Sequence, residues 1–598
     1  MTGAHRQNAM PIAAAGTPMT GDSEPPVDAP PQARSVTTVI RSPAAQILIA
    51  LLIYVVVWVS TIGRDLALHP GVASLAERNQ DPDLFVWCLG WWPHAIGHWL
   101  NPLFSSQVRA PAGQSLAWVT TIPPLAILAA PLTLTAGPLV AFNLLAALGP
   151  PLSAWAAFVL CRRLTGRFWP ALVGGAVFGF SAYETRATSF GQLDLSYSVL
   201  LPVLAYLVVV FWQRSISART YVILSAAALT VQFYLFTEIF ADLTAILVVA
   251  LLLGLALAER ESRPAVLRLS RLTAIGYLIA LVLASPYLGY ALSSKAPEPI
   301  AFTAGDLASF VLPRPGSLGG ITSLTASGAH SPSTAGYIGV PLLILVVLLA
   351  MRTWRNRLVR LLTCMVVLIC IASLGPVVYV QGRPLVRVPW AGLYNLPIVR
   401  DAWMSRLMVF AFLALAVATA LWLSRPPSWS AWLRWLLGVL VVANVAMEAF
   451  PTLGSQVRAV PAFISTGQYR SRLSPGEIVL VVSKIPNSGL LWQAESGYNF
   501  RISGGFFNDG FINGFSLRPD LPQAVVGLET LDPASVTAFE AYIKRDKVGA
   551  ILLDAINKPR LDRHSPFSRI GLVGHEVGGV IVYPTDGCRA CHVPQKRH

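Results

Sequence analysis

The chain has 598 residues, of which 54% are hydrophobic and 12% are charged, and its mean hydropathy is +0.59. This composition excludes an ordinary soluble globular protein, in which about a quarter of the residues are charged. The net charge of +15 comes mainly from arginines in short clusters between apolar segments, so it indicates membrane topology and argues against a nucleic-acid partner.

The first 43 residues are rich in Ala, Pro, Thr and Ser and show no hydrophobic periodicity, which predicts a disordered cytoplasmic tail. After them, apolar segments long enough to cross a bilayer predict about 11–12 transmembrane helices in a domain over residues 44–450. A further apolar segment, 117–135, contains three prolines and is predicted to be broken or re-entrant, although a full crossing stays open. The predicted spans are 44–62, 138–161, 168–183, 195–212, 219–236, 239–258, 272–292, 336–352, 358–380, 405–424 and 431–450.

Orientation follows from arginine clusters in alternate loops, because cytoplasmic loops of membrane proteins are enriched in Lys and Arg. We expect a multi-pass protein of the plasma (inner) membrane with a cytoplasmic amino terminus, provided that 117–135 does not fully cross. The segments 63–116, 184–194, 237–242, 293–335, 381–404 and 451–598 then face outward. The cytoplasmic arginines are Arg162, Arg163 and Arg167; Arg214 and Arg219; Arg260, Arg263, Arg268 and Arg271; Arg352, Arg355, Arg357 and Arg360; Arg425 and Arg434.

The composition changes after Phe450 to short β-branched segments between Gly, Pro, Asn and Asp. Strands are predicted at 478–482, 549–553 and 579–583, with a helix at 534–547. Residues 451–598 are therefore predicted to form an extracytoplasmic α/β domain. The expected fold class is an α-helical polytopic membrane protein with this additional domain at its carboxy terminus.

The long external loop 63–116 contains a segment with tryptophans at helical spacing, which predicts a helix at the membrane interface with Asp81 near its start. An acid held there could accept a proton from a hydroxyl nucleophile or bind a cation. Asp83 and His94 of the same segment are candidate substrate-binding residues. The alternative for Asp83 is a purely structural role, in which its carboxylate caps and stabilises the start of the helix.

The next external loop, around residues 184–194, is unusually polar for a short connection between spans. Arg186 could bind a phosphate, and Asp194 could bind a metal or orient an acceptor. The alternative is a solvated loop that contains one Arg–Glu pair. Glu238 and Asp242 are four residues apart and so face the same side of a helix. Because burying two carboxylates is costly, they predict a polar cavity. The alternative is that the pair only stabilises the positively polarised start of the helix.

Positive charge on the outside before the span 405–424 opposes the topological trend. Arg400 and Arg406 could bind a polyprenyl phosphate or pyrophosphate, since guanidinium groups bind phosphate oxygens in pairs. Arg383 and Arg387 lie in the same external loop. The alternative for these arginines is that they extend to lipid headgroups.

These features resemble the GT-C superfamily of membrane glycosyltransferases. The resemblance is carried by Asp81-Pro82 with Trp87 in the first external loop, and by Thr185-Arg186 with Gly191 and Asp194 in the second. It implies a polyprenyl-phosphate-linked sugar as donor, with Asp81 as catalytic base. A divalent cation held by Asp81 and Asp194 is an open alternative.

The leading hypothesis is an inverting glycosyltransferase that moves a sugar from the lipid donor to a cell-envelope glycan or glycolipid acceptor at the outer face of the membrane. Arg406 or Arg400, with Arg186, would bind the leaving phosphate, and Asp194 or Glu238 would position the acceptor. The alternative is a transporter of lipid-linked glycan or polymer that uses the same cavity without chemistry. Only the enzyme needs a specific base.

Overall fold

The computed structural model describes residues 42–61, 64, 68–71, 73–74, 81–294, 305–313, 336–389, 391–392, 404–425, 431–449, 456–457, 460–483, 487–504, 533–555, 567 and 571–585. The predicted tail, up to residue 41, and Arg400 lie outside these residues. The predicted domain boundaries at residues 43 and 450 stay predictions.

Most of the described chain is helical. The helices are α1 (Pro43–Ser60), α2 (Asp81–Gly97), α3 (Pro123–Leu128), α4 (Ala130–Ala136), α5 (Pro138–Thr165), α6 (Phe168–Gly179), α7 (Ala182–Ser189), α8 (Leu193–Ser196), α9 (Leu200–Trp212), α10 (Ala218–Leu235), α11 (Thr237–Leu257), α12 (Arg263–Ser293), α13 (Val340–Thr353), α14 (Arg357–Ser373), α15 (Met408–Leu423), α16 (Ala431–Ala449), α17 (Ala462–Ser465), α18 (Ser488–Glu495) and α19 (Pro533–Asp546). Short 3-10 turns lie at Leu307–Phe310, Met404–Leu407 and Gln468–Ser471.

The strands form one larger sheet and several two-stranded pairs. They are β1 (Ala73–Ser74), β2 (Phe104–Ser105), β3 (Gln114–Ser115), β4 (Val377–Val380), β5 (Arg383–Arg387), β6 (Gln456–Val457), β7 (Ile478–Val482), β8 (Arg501–Ile502), β9 (Ala550–Asp554), β10 (His575–Val577) and β11 (Val580–Pro584). The pairs are β1 with β6, β2 with β3, and β4 with β5.

Each predicted span coincides with a helix, and among the described residues six helical stretches are long and apolar enough to cross a membrane. Three shorter apolar helices accompany them. The protein is therefore a multi-pass membrane protein. The predicted span 358–380 is too long, since α14 ends at Ser373 and the chain continues into β4. Segment 117–135 is broken, as predicted, into α3 and α4 at Ala129.

The helical core is built around α15, which is buried along most of its length and packs against α6 and α14. A side chain at Gly174 of α6 would place its Cβ 2.8 Å from the Ala416 carbonyl oxygen, so only glycine permits this close approach. Helix α5 also packs against α6 and contacts α15. These helices hold the 3-10 turn Met404–Leu407 at the start of α15.

The carboxy-terminal region contains a five-stranded sheet in the order β10-β11-β9-β7-β8. Strand β7 pairs in parallel with β8 and β9, whereas β11 is antiparallel to both β9 and β10. Phe539 and Tyr542 of α19 pack with alternate residues of β7 in an apolar core. The predicted α/β region, with its three strands and its helix, is confirmed.

Helix α2 differs from the expectation of a helix at the membrane interface. Trp87 and Trp91 are buried inside the protein, and Trp87 Nε1 donates a 2.7 Å hydrogen bond to Gln493 Oε1 of α18. The Tyr498 hydroxyl donates to the Trp87 carbonyl oxygen over 2.6 Å. The interfacial assignment is therefore wrong for these tryptophans. The apolar face of α2 packs against the carboxy-terminal region of the protein instead of the membrane surface. Trp99, just after α2, is exposed.

Candidate functional site

The site begins at Asp81, the first residue of α2. A carboxylate is stabilised there because the unpaired N–H groups of a helix start carry partial positive charge. Gln192 Nε2 donates a 2.8 Å hydrogen bond to Asp81 Oδ2. Gln192 follows Gly191, whose φ of 69° allows the sharp turn between α7 and α8. The start of α2 and the turn between α7 and α8 are thus joined at this acid.

Asp194 lies two residues after Gln192, in the short helix α8, and is buried. It is close enough to interact electrostatically with Arg406 and Asp81. Asp194 Oδ1 has no hydrogen-bond partner among the described residues. The two acids that the sequence placed in separate external loops therefore lie together, with a guanidinium beside them.

Arg406 belongs to the 3-10 turn that leads into α15. It forms an ion pair with Glu238 Oε2 at the start of α11, and its guanidinium lies over the Phe236 ring, 4.8 Å from the centroid. Its electrostatic neighbours include Asp194, Asp81 and Tyr183. Glu238 is partly exposed, so this ion pair lies at the edge of the protein interior.

A small polar pocket opens beside these residues. Arg186 and Arg406 both line it, and two arginines at one pocket suit an anion. Arg186 is also held over the Phe190 ring, 4.6 Å from the centroid. The lining residues are Tyr183, Arg186, Ala187, Gln192, Leu195, Ser405 and Arg406.

Several buried polar atoms around the pocket lack a hydrogen-bond partner among the described residues. They are the Tyr183 hydroxyl, Gln192 Oε1 and Asp194 Oδ1. Leaving such a group unsatisfied costs about 1–3 kcal/mol, so these atoms are available to water or to a polar ligand. Asp242, one turn after Glu238 on α11, is an electrostatic neighbour of Tyr183 and extends the acidic side of the site.

Not every candidate lies here. His94 is thirteen residues after Asp81 on α2, about 20 Å along the helix axis, and its ring lies against those of His98 and Tyr498. Burial, together with the neighbouring His98, lowers the pKa of His94 to about 4. Asp83 is buried in the first turn of α2 and does not line the pocket. Arg400 lies outside the described residues.

The segment around residues 184–194 is not the solvated loop that the sequence left open as an alternative. Glu184 and Thr185 are fully buried in α7. Burial raises the pKa of the Glu184 carboxyl well above its usual value, and its neighbours are Ser198 and Ser153. Burial therefore disfavours the charged form of this carboxyl.

Gln192, Tyr183 and Ser405 were not identified from the sequence as site residues. Gln192 gave a weak signal, since it stands between Gly191 and Asp194 in the unusually polar segment. Tyr183 and Ser405 gave none, because a single tyrosine or serine at the end of an apolar span is common.

The described residues contain no group of three or more His, Cys, Asp or Glu side chains that could hold a metal ion. At this site Arg406 already supplies positive charge to both Asp81 and Asp194. The two carboxylates are therefore better matched to the neighbouring guanidinium of Arg406 than to a metal ion. A metal-linked role for Asp81 and Asp194 stays a prediction.

Comparison with known proteins shows one family and one fold. A family model described as a domain of unknown function (DUF6311) matches residues 49–446. No curated protein matches the sequence.

Solved structures with a similar fold include three glycan-transferring membrane proteins. Arabinofuranosyltransferase AftD from Mycobacteria has a TM-score of 0.53 at 15% identity over 91% of this chain and 40% of its own. ArnT from Cupriavidus metallidurans, bound to undecaprenyl phosphate, has a TM-score of 0.51 at 14% identity over 93% and 100% of the two chains. The Archaeoglobus fulgidus oligosaccharyltransferase, tethered with an acceptor peptide, has a TM-score of 0.50 at 13% identity over 86% and 69%.

These similarities confirm the predicted GT-C-like fold. At such low identity they show the fold alone. The chain spans about two fifths of the length of the mycobacterial arabinofuranosyltransferase that it matches.

Proposed function

The chain belongs to the DUF6311 family, and we propose that it is an inverting membrane glycosyltransferase. It would move a sugar from a polyprenyl-phosphate donor to a cell-envelope glycan or lipid acceptor at the outer face of the plasma membrane. The observation that carries the proposal is the pocket lined by Arg186 and Arg406, with Asp81 and Asp194 beside it. It combines an anion site with carboxylates in one place.

The lipid phosphate is the group best matched to the two arginines. Arg406 would bind it through its guanidinium and stabilise the negative charge that develops on the leaving phosphate. In the structure, Glu238 pairs with this guanidinium. Because Glu238 is about half exposed, it can return to water when a phosphate displaces it.

Asp81 is the proposed base. It would take the proton from the acceptor hydroxyl while that oxygen forms a bond to the anomeric carbon and the bond from this carbon to the phosphate oxygen breaks. The polyprenyl phosphate leaves with the bonding electron pair. One carboxylate is enough for such a direct displacement, which inverts the anomeric configuration because no covalent intermediate forms.

Asp194, Glu238 and Asp242 are proposed to position substrate and arginine rather than to accept the proton. Asp194 is buried, and its unpartnered Oδ1 could accept a hydrogen bond from a sugar or acceptor hydroxyl. Glu238 holds Arg406 between turnovers. The Gln192 hydrogen bond fixes one oxygen of Asp81 and so limits the rotation of its carboxylate.

The structural neighbours are in keeping with this proposal. ArnT was solved with undecaprenyl phosphate, and the Archaeoglobus oligosaccharyltransferase with an acceptor peptide. The sugar and acceptor of this chain are proposed only as classes, a hexose or pentose and a cell-envelope glycan or glycolipid.

The proposal is tested with the purified full chain in nanodiscs and a panel of undecaprenyl-phosphate-linked hexoses and pentoses. Release of undecaprenyl phosphate is followed by mass spectrometry, with and without cell-envelope glycolipid extracts as acceptors. We expect acceptor-dependent release for one donor in the panel. Binding of undecaprenyl phosphate without release from any donor would argue against catalysis.

A further inference from the structure

A β-hairpin outside the pocket carries arginines that the proposed reaction does not use. Strands β4 and β5 are joined by the two-residue loop Gln381–Gly382, in which φ is 51° and 77°. Positive φ at both positions is typical of the tight hairpin turn that suits the twist of paired strands. Gly382 N donates a 2.7 Å hydrogen bond to Asp306 Oδ2, which anchors the turn to a buried residue.

The hairpin exposes apolar side chains. All five residues of β5 are exposed, including Leu385 at 68% and Val386 at 55% of their surface. Strand β4, which consists of three valines and a tyrosine, is only half buried. A two-stranded ribbon is marginally stable in water, and exposed apolar residues on it indicate a contact surface.

The hairpin adjoins an exposed apolar surface of the helical domain. Helix α14 ends at Ser373, four residues before β4 begins, so the first strand starts within about 15 Å of the helix end. Val367, Leu368 and Ile371 are exposed on the last two turns of α14, where a membrane helix faces lipid. The apolar surface of the hairpin therefore continues the exposed apolar surface at the end of α14.

The charge of the hairpin matches the bilayer surface. Arg383 pairs with Val380 and Arg387 with Val377, and the register shift between Val378 and Tyr379 leaves Leu385 as the extra residue of a β-bulge. The two arginines therefore flank Leu385 on opposite faces of the ribbon. Residues 377–387 contain no acidic side chain. An apolar residue between two arginines suits the boundary between acyl chains and anionic headgroups.

We propose that the β4–β5 hairpin lies on the bilayer and binds anionic phospholipids. Leu385 and Val386 contact the headgroup and acyl boundary, and Arg383 and Arg387 contact lipid phosphates. This inference does not depend on the proposed glycosyl transfer, because none of these residues lines the pocket.

The test uses the full chain with the photoreactive residue p-benzoylphenylalanine in place of Leu385. The protein is placed in nanodiscs of phosphatidylcholine and phosphatidylglycerol in equal parts, irradiated and analysed by mass spectrometry. The control carries the same residue in place of Val573, which is as exposed as Leu385 but lies in the carboxy-terminal region. Since both side chains are exposed, neither substitution removes core packing.

We expect several-fold more lipid adduct at position 385 than at 573, with phosphatidylglycerol favoured over phosphatidylcholine. The paired change Arg383→Gln and Arg387→Gln should lower that preference towards an equal ratio. Adducts of position 385 with a peptide of this chain or of a second copy would overturn the proposal, since protein would then cover the hairpin. Equal, low lipid adduct at both positions would also overturn it, since the hairpin would then face water.

Discussion

Gln192 Nε2 donates a hydrogen bond to Asp81 Oδ2 over 2.8 Å, although 111 residues separate the two in sequence. The contact joins the start of α2 to the turn between α7 and α8. It gives the candidate base one fixed oxygen and places it beside Asp194 and Arg406. This relationship suggests how the side chain at position 192 should affect turnover.

Replacing Gln192 should change the reaction in two distinguishable ways. In Gln192→Ala the hydrogen bond to a charged acceptor is lost, and turnover should fall about tenfold. In Gln192→Glu a second carboxylate faces Asp81, so the acidic limb of the pH–turnover profile should move to higher pH, because like charge disfavours the ionised acid. Turnover is measured from pH 4 to pH 9.

Gln213→Glu is the matched control, since Gln213 is exposed at the far end of α9. Its profile should equal that of the wild type. Profiles of Gln192→Ala and Gln192→Glu that both coincide with the wild type would show that the contact with Asp81 has no part in turnover.

Arg406 should determine affinity for the lipid phosphate. Arg406→Lys keeps the charge but loses the paired guanidinium contact, so affinity for undecaprenyl phosphate should fall about tenfold, and Arg406→Gln should lower it about a hundredfold. Binding is measured by native mass spectrometry of the chain in detergent.

Two variants separate this binding role from a structural one. Arg357→Gln removes a different Arg–Glu ion pair, with Glu259, and should bind undecaprenyl phosphate as the wild type does. The double change Arg406→Gln and Glu238→Gln removes both members of the ion pair and should recover part of any thermal stability that Arg406→Gln loses, without restoring affinity. Normal affinity in this double variant would refute the role of Arg406.

Gln493 should matter for stability because its amide joins α18 to α2 and to the loops beside it. Its Oε1 accepts from Trp87 Nε1, and its Nε2 donates to the carbonyl oxygens of Gln107 and Phe500 over 2.8 Å each. Gln493→Leu leaves these buried groups unpaired and should lower the free energy of unfolding by about 3 kcal/mol. The measured quantity is the Tm, and the exposed substitution Gln213→Leu should leave it unchanged. An unchanged Tm in Gln493→Leu would mean that these hydrogen bonds do not contribute to the stability of the fold.

His94 should make stability sensitive to acid. Its pKa is about 4 in the folded protein, because of burial and of His98, and its ordinary value is 6.5. Between these values the unfolded chain binds a proton that the folded chain does not, so stability is lost as the pH falls from 6.5 towards 4. His94→Gln should show a weaker fall in Tm over this window than the wild type, whereas the exposed His69→Gln should not differ from it. Equal acid sensitivity in all three proteins would exclude His94 as the cause.

The helices and the carboxy-terminal sheet could be predicted because they follow local patterns of hydrophobicity. Spans such as 239–258 and strands such as 478–482 recur in the structure within a few residues. The end of α14 could not be predicted, since the apolar residues of β4 continue its hydrophobic run. Periodicity also cannot distinguish lipid from protein as the partner of an apolar face, which is why Trp87 and Trp91 were assigned to the interface.

The acids and arginines of the site could be proposed from their placement in predicted external loops. That these side chains lie close together could not be predicted. Asp81, Asp194 and Arg406 come from three distant segments, and the packing of α7, α8 and α15 brings them together. Gln192 contacts Asp81 only through the tertiary structure, so the sequence around it gives little indication of this role. His94, on the same helix as Asp81, faces Tyr498 instead, because the helix carries it about 20 Å away.

If Asp81 is the base of a glycosyl transfer, Asp81→Asn should abolish transfer without unfolding the protein. Asparagine keeps an oxygen that can accept from Gln192, so the Tm should not change, while loss of the base should reduce donor-dependent release of undecaprenyl phosphate about 10²–10⁴-fold. The same variant is assayed for transfer and for movement of lipid-linked glycan across proteoliposomes. Turnover that collapses with an unchanged Tm is the predicted result. Wild-type turnover in Asp81→Asn would show that Asp81 is not the base, whereas glycan flux without any transfer in both proteins would favour a transporter.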